Sequence, residues 1–186
     1  MELLKTLTER HSSPVLTEPA PTQEQLDIMF KAALRAPDHA RLHPWRFIVI
    51  ANDARKKLGD VFANIAMQDN PDLPESSIQR TRNLPLRAPL LVALVLHYKE
   101  HAMVPEVEQI LSTGAAGYGL ITAAFHLGVG AYWRTGAHCF DQRTAKALHL
   151  HNNEKLMGFI YLGTPAKSAN PVPPLSADDF VTSWSG

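Results

Sequence analysis

The chain has 186 residues, 45% hydrophobic and 19% charged, enough to build one hydrophobic core and ordinary for a globular protein. Eighteen basic and eighteen acidic residues cancel, so no broad polyanion-binding surface is implied and nucleic acid is a poor first partner, though a local basic pocket is compatible with that balance. A single cysteine, Cys139, excludes a disulfide within the chain and suits a reducing compartment.

Residues 1–10 are amphipathic and charged, unlike a secretory signal, with Leu3, Leu4 and Leu7 at helical spacing until Ser12-Ser13-Pro14 interrupts it. Thr22 followed three residues later by Gln25 reads as a helix N-cap, and Leu26, Met29, Phe30, Ala33 and Leu34 share one face of the helix that ends before Pro37. Residues 45–50 carry the aromatic and β-branched content of a strand, and a helix is expected from Asp53 to about Met67. Residues 68–88, rich in Pro, Asp, Asn and Arg, read as a mobile surface connection with one or two helical turns. The longest apolar run, residues 89–96, is too short to span a bilayer, so the cytoplasm is the expected location. Residues 90–97 should form a central strand buried on both faces.

Pro105 suits the first turn of the next helix, which should continue to about Leu127 and end at Gly128. Its Val107, Ile110, Leu111, Gly114, Tyr118, Ile121 and Phe125 follow helical spacing. Strands are expected at 131–133 and 156–162, with a short helix near 142–148 between them. Prolines 171, 173 and 174 argue for an extended tail over about 166–186, whose Phe180, Val181 and Trp184 call for a cover such as a partner subunit. Irregular alternation of helices and strands after two initial helices indicates an α+β layer rather than a regular βαβ series. The expected organisation is therefore one domain over residues 1–186 with an extended tail.

Three segments could carry chemistry. Residues 35–45 gather Arg35, His39, Arg41, His43 and Trp45 at a helix end, a proline-stiffened loop and a strand start. Arg10-His11-Ser12-Ser13 offers a planar fork of donors and hydroxyls suited to phosphate. Trp133-Arg134-Thr135-Gly136 puts a cation and a hydroxyl where a strand gives way to a loop. By residue type alone, each also reads as a solvated basic end of an ordinary element. Other patterns are weaker. The glycines at 114, 117 and 119 lie inside a helix without the dinucleotide-binding order, and fit close helix–helix approach, within the chain or across a dimer. His39 and His43 lack a further ligand at metal spacing, His97 and His101 read as ordinary surface histidines, and Cys139 has no activating base.

Together Glu9-Arg10-His11-Ser12, Arg35-Ala36-Pro37-Asp38-His39 with His43-Pro44-Trp45, Trp133-Arg134-Thr135-Gly136 and residues 158–165 resemble, in order, the nitroreductase family and its minimal members of about this length. The resemblance implies a nitroreductase-like α+β fold, a mostly antiparallel sheet flanked by helices, and an obligate homodimer with FMN at the interface. It implies FMN contacts from Arg10, His11 and Ser12 together with Trp133, Arg134 and Thr135, the two arginines meeting the phosphate. Arg35 and His39 would come from the other subunit to the ring system. It further implies a ping-pong oxidoreductase, NADPH or NADH delivering hydride to the flavin and a nitroaromatic, quinone or enone accepting it, with His39, His43 or solvent as proton source. His43 stands where many relatives carry Gln. The same residues fit a dehalogenating or flavin-processing member, or a flavin carrier or redox sensor without turnover.

Overall fold

The computed structural model describes residues 2–167, 173 and 175–186. Its centre is strand β3 (Leu90–His97), every residue of which is buried up to Leu96. Alternate side chains of a strand point to opposite faces, so an uninterrupted apolar run needs cover on both. One face packs Leu91, Ala93 and Val95 with Leu58 and Phe62 of helix α3 (Asp53–Asp69). The other packs Leu90 and Val92 with Met29 of helix α2 (Gln23–Ala33) and Leu120 of helix α5 (Glu106–His126).

Strands β2 (Trp45–Ala51) and β5 (Glu154–Pro165) flank β3, and both pairings are antiparallel. Strands β4 (Gly130–Arg134) and β1 (Leu16–Thr17) pair with β5, again antiparallel. The expected α+β arrangement, an antiparallel sheet flanked by helices, is what forms. Helix α1 (Glu2–Glu9) packs on the far end of α5 through Thr6 Oγ1 and His126 Nδ1, 3.0 Å apart. Thr22 caps α2 as expected, its hydroxyl accepting from Gln25 N–H while the Gln25 side chain accepts from Thr22 N–H. Gly128, with φ +73°, follows the end of α5 in the left-handed conformation.

Two expectations need correction. Residues 68–88 carry the expected helical turns, but they are packed rather than a loose surface connection. Helix α4 (Glu75–Arg82) buries Ile78, and the 3-10 turn Leu84–Arg87 buries Pro85. Gly59 of α3 lets the Arg82 carbonyl approach closely, so the segment is packed against α3. On α5 the expected apolar stripe is mostly the outward one. Val107, Leu111 and Tyr118 are 58%, 67% and 43% exposed. The helix buries Ile121 of that stripe together with Gln109, Ser112, Thr113, Ala116, Gly117, Leu120 and Ala124. The reason is steric: a Cβ on Gly117 would lie 2.7 Å from Leu94 Cδ2, and one on Gly119 would lie 3.1 Å from the Ala32 carbonyl oxygen. The glycines thus serve close approach within the chain.

Helix α6 (Ala137–Phe140), not expected from the sequence, precedes α7 (Gln142–Ala147). The expected extension of the tail falls largely on residues 168–172 and 174, outside the described residues. Beyond them Ala177–Asp179 forms a 3-10 turn, and Phe180, Val181 and Trp184 are exposed. No helix among the described residues is long and apolar enough to cross a membrane.

Candidate active site

The segment after α1 is joined to β4. Ser13 N–H donates to the Ala131 carbonyl at 2.9 Å, and Arg134 Nη2 approaches the Pro14 carbonyl at 3.5 Å. This sets residues 13 and 14, which directly follow Arg10, His11 and Ser12, alongside β4. The His11 ring meets Phe125 of α5 edge-on at 5.0 Å, and the Arg10 guanidinium lies 5.7 Å from the Tyr118 ring centre. Ser12 and Thr135 are exposed.

Arg134 is the most constrained of this group. Its guanidinium lies 3.9 Å over the Tyr132 ring and 5.4 Å from that of Tyr161, and its Nε is buried without a hydrogen-bond partner. A buried N–H left unpaired costs about 1–3 kcal/mol, so a cation held this way is suited to an anionic acceptor supplied from outside the chain. Trp133 faces the opposite way. Its indole packs between Gly117 and Gly158 and donates to the Met157 carbonyl at 3.2 Å, so its backbone, rather than its ring, is what it can offer to a ligand.

The loop after α2 forms a second group. Ser112 Oγ donates to the Pro37 carbonyl at 2.6 Å, and Thr113 Oγ1 and His97 N–H donate to the Pro44 carbonyl at 2.9 and 2.8 Å. Asp38 Oδ2 accepts from His43 N–H at 2.7 Å. Held at both ends, the loop keeps Ala40, Arg41 and His43 at φ +59°, +55° and +48°. Non-glycine residues adopt that region at a cost of about 1–3 kcal/mol each, and such strain clusters at functional sites. Arg35, His39 and His43 are exposed, and His39 Nδ1 lies 2.7 Å from Glu108 Oε2 in the first turn of α5. Among the described residues, no group of three or more His, Cys, Asp or Glu side chains is arranged to hold a metal ion.

Within one chain His39 and His11 stay apart along α5. His39 sits at Glu108 and His11 at Phe125, positions about 25 Å apart at 1.5 Å of rise per residue. Of the outward residues, Leu111 lies between these positions, Val107 just before Glu108, and Tyr118 beside the Arg10 guanidinium. A depression of about 970 Å³ opens elsewhere, between α6, α7 and the start of β5, where Phe140, Arg143, Lys146, His149 and Glu154 line it. None of the sequence-predicted cofactor residues is in its wall.

Sequence reasoning missed the anchors Glu108, Ser112 and Thr113, which look like unremarked polar residues on an apolar helix. It also misread His97. Its Nδ1 lies 2.9 Å from Glu154 Oε1, while Arg46 grips both oxygens of that carboxylate at 2.6 and 2.7 Å. The cluster ties β2, β3 and β5 together at one end of the sheet. His138 stacks on Phe62 at 4.1 Å, away from a nucleophilic role, and burial pushes the Cys139 thiol up to about 11.

The nitroreductase family model matches residues 7–164, which include both groups and the strands that carry them. The chain belongs to the nitroreductase family. It is 38% identical over 170 residues to YdjA of Escherichia coli K12, a protein named as a candidate NAD(P)H nitroreductase, covering 91% of this chain and 92% of that one. A Haemophilus influenzae protein named in the same terms is 35% identical over 184 residues, 98% of this chain and 99% of its own. Among solved structures, a nitroreductase-like protein of Bacillus cereus superposes with a TM-score of 0.83 at 18% identity, over 99% of this chain and 96% of that one. A candidate nitroreductase of Desulfovibrio desulfuricans, solved in complex with FMN, superposes at 0.76 with 22% identity, over 99% and 98%. These structural matches carry the nitroreductase fold.

Proposed function

We propose that this nitroreductase-family protein is a single-domain, FMN-dependent oxidoreductase that works as a homodimer. It draws on NADPH or NADH to reduce nitroaromatics, quinones or related small electrophiles. The observation that carries the reading is the separation of His39 from His11 along α5, whose outward face carries Val107, Leu111 and Tyr118. A second copy crossing that stripe in the opposite direction would bring His39 and Arg35 of one protomer to Arg10, His11 and Arg134 of its partner. It would also cover Val107, Leu111 and Tyr118, each worth roughly 1.5–3 kcal/mol when fully buried.

The residues fit FMN. A dianionic phosphate needs cationic donors in a fixed geometry, and Arg134, braced by Tyr132 with a buried Nε free to donate, meets that need alongside Arg10. Ser12 and Thr135 add hydroxyls, and His11 and the backbone at Trp133 can line the ring. When bound, FMN supplies the redox chemistry, taking hydride from the nicotinamide and giving it to the acceptor in alternating turns. The chain's part is to hold the phosphate, orient the ring, and keep His39 and Arg35 at its edge. The FMN in the Desulfovibrio protein supports the cofactor, and the names of the Escherichia and Haemophilus relatives support the donor.

The test is an absorbance spectrum of protein loaded with FMN and desalted, repeated anaerobically after adding NADPH or NADH. A flavin band that co-elutes and bleaches is the expected result. Retained flavin that stays oxidised would favour a carrier or sensor, and no retained flavin would sink the reading. Arg134→Met should raise the Kd for FMN by about 10- to 100-fold, from loss of one charge-assisted contact.

A further inference from the structure

The proton source for the reduced acceptor has two histidine candidates, and their surroundings differ. His39 Nδ1 lies 2.7 Å from Glu108 Oε2. Glu108 is fixed at the start of a 21-residue helix, where the positive end of the helix dipole favours a carboxylate. A carboxylate at Nδ1 can only accept, so it selects the form of the ring that carries a proton there. Nε2 is then the free nitrogen, a donor when the ring is charged and an acceptor when it is neutral. His43 has no such support. Its nearest carboxylate, Asp38 Oδ2, is 3.9 Å from its Nε2 and already accepts the His43 backbone N–H at 2.7 Å. The ring is two-thirds exposed beside Trp45.

We propose that His39 delivers the proton to the reduced acceptor from Nε2, and that Glu108 is its positioning residue. The inference rests on the functional reading above, because it needs His39 at the cofactor's edge. For a quinone the balance is simple. The two-electron reduction to the hydroquinone consumes one hydride, which originates from reduced nicotinamide, and one proton. The Nε2–H bond breaks as the acceptor's O–H bond forms, the imidazole becomes neutral, and water restores its proton. Glu108 remains a carboxylate throughout, accepting from Nδ1–H in both states.

The first readout is the state of the His39 ring, followed by long-range proton–nitrogen NMR on the full chain, with and without FMN. Wild type should carry its neutral-ring proton on Nδ1, Glu108→Gln should keep it there through the amide oxygen, and Glu108→Ala should lose the preference. The second readout separates the half-reactions. His39→Ala should bind FMN within about threefold of wild type and be reduced by NADPH or NADH at a similar rate, yet pass electrons to a quinone about 100-fold more slowly, as expected of a lost general acid. Added imidazole should restore part of that rate. Glu108→Gln should fall between the two, and His43→Ala should lose at least tenfold less than His39→Ala.

A wild-type ring with its proton on Nε2, or an unimpaired acceptor step in His39→Ala that still holds reducible FMN, overturns this inference alone. So does a His39→Ala whose only defect is weaker FMN binding, which would make His39 a binding residue. A wild-type protein that retains no FMN overturns the functional reading, and this inference with it.

Discussion

Gly158 and the indole of Trp133 occupy space that only a hydrogen at position 158 leaves free. A Cβ there would sit 2.7 Å from Trp133 Cδ1 and 3.0 Å from the Arg134 carbonyl oxygen, and Gly158 has φ +141°, a conformation costly for any other residue. The β3–β5 register slips at this point, Leu94 facing Gly158 and Val95 facing Leu156, so Met157 is the extra residue of a bulge. The bulge turns the Met157 carbonyl to the indole N–H. Gly158→Ala should therefore cost about 2–4 kcal/mol, from overpacking and backbone strain together. A denaturant midpoint within error of wild type would mean that the bulge can relax, and that Trp133 is not locked.

Glu154 should make stability depend on acid. Burial alone would raise its carboxyl, but hydrogen bonds from Arg46, His97 and the His151 N–H outweigh that and hold it at about 2. A carboxyl depressed in the folded state contributes stability that is fully present above its unfolded pKa, near 4.5, and is lost as pH falls toward 2. Unfolding free energies should thus drop between about pH 4.5 and 2, and the drop should be smaller in Glu154→Gln. At neutral pH Glu154→Ala should cost about 3 kcal/mol, since it leaves Arg46 and His97 without their shared acceptor. An equal acid sensitivity in Glu154→Gln would assign the effect to other carboxylates.

Cys139 should be inert in the folded protein. It is 8% exposed, and burial raises its thiol to about 11 against a weaker opposing hydrogen bond with the Gly136 backbone. Thiolate is the reacting form, so at pH 8 only a small fraction is available. A disulfide reagent should modify the denatured chain in seconds and the native one only over the timescale of local opening. Rapid labelling of native protein would show that α6 is detached in solution.

How far the sequence could be read depended on whether local rules decided the outcome. The Thr22 cap, the β3 run and the Gly128 helix end are set by nearest neighbours and short periods, and they form as read. The α5 face was misread because its residues fit two stripes. The choice between them was made by α2 and β3, whose backbone and side chains need Gly117 and Gly119 beside them. The roles of Glu108 and Glu154 depend on contacts 69 and 108 residues away, to His39 and Arg46, which no local pattern encodes. The clusters around Arg10, Arg35 and Arg134 were found as motifs, while the placing of His39 and His11 at two ends of one helix emerges only in three dimensions.

That division gives the last prediction. Leu111 is 67% exposed in the middle of the outward stripe of α5. If a second copy crosses α5, a charge at 111 would be buried against its counterpart's apolar stripe, at a cost of several kcal/mol per protomer. Leu111→Glu should then sediment as a monomer at micromolar concentration where wild type sediments as a dimer. Its secondary structure by circular dichroism should be retained, because an exposed helix position tolerates Glu. The monomer should also fail to retain FMN, although Arg10, Arg134, Arg35 and His39 are all unchanged. A Leu111→Glu monomer that holds FMN as tightly as wild type would mean that one chain builds the whole site, and the two ends of α5 would need another explanation.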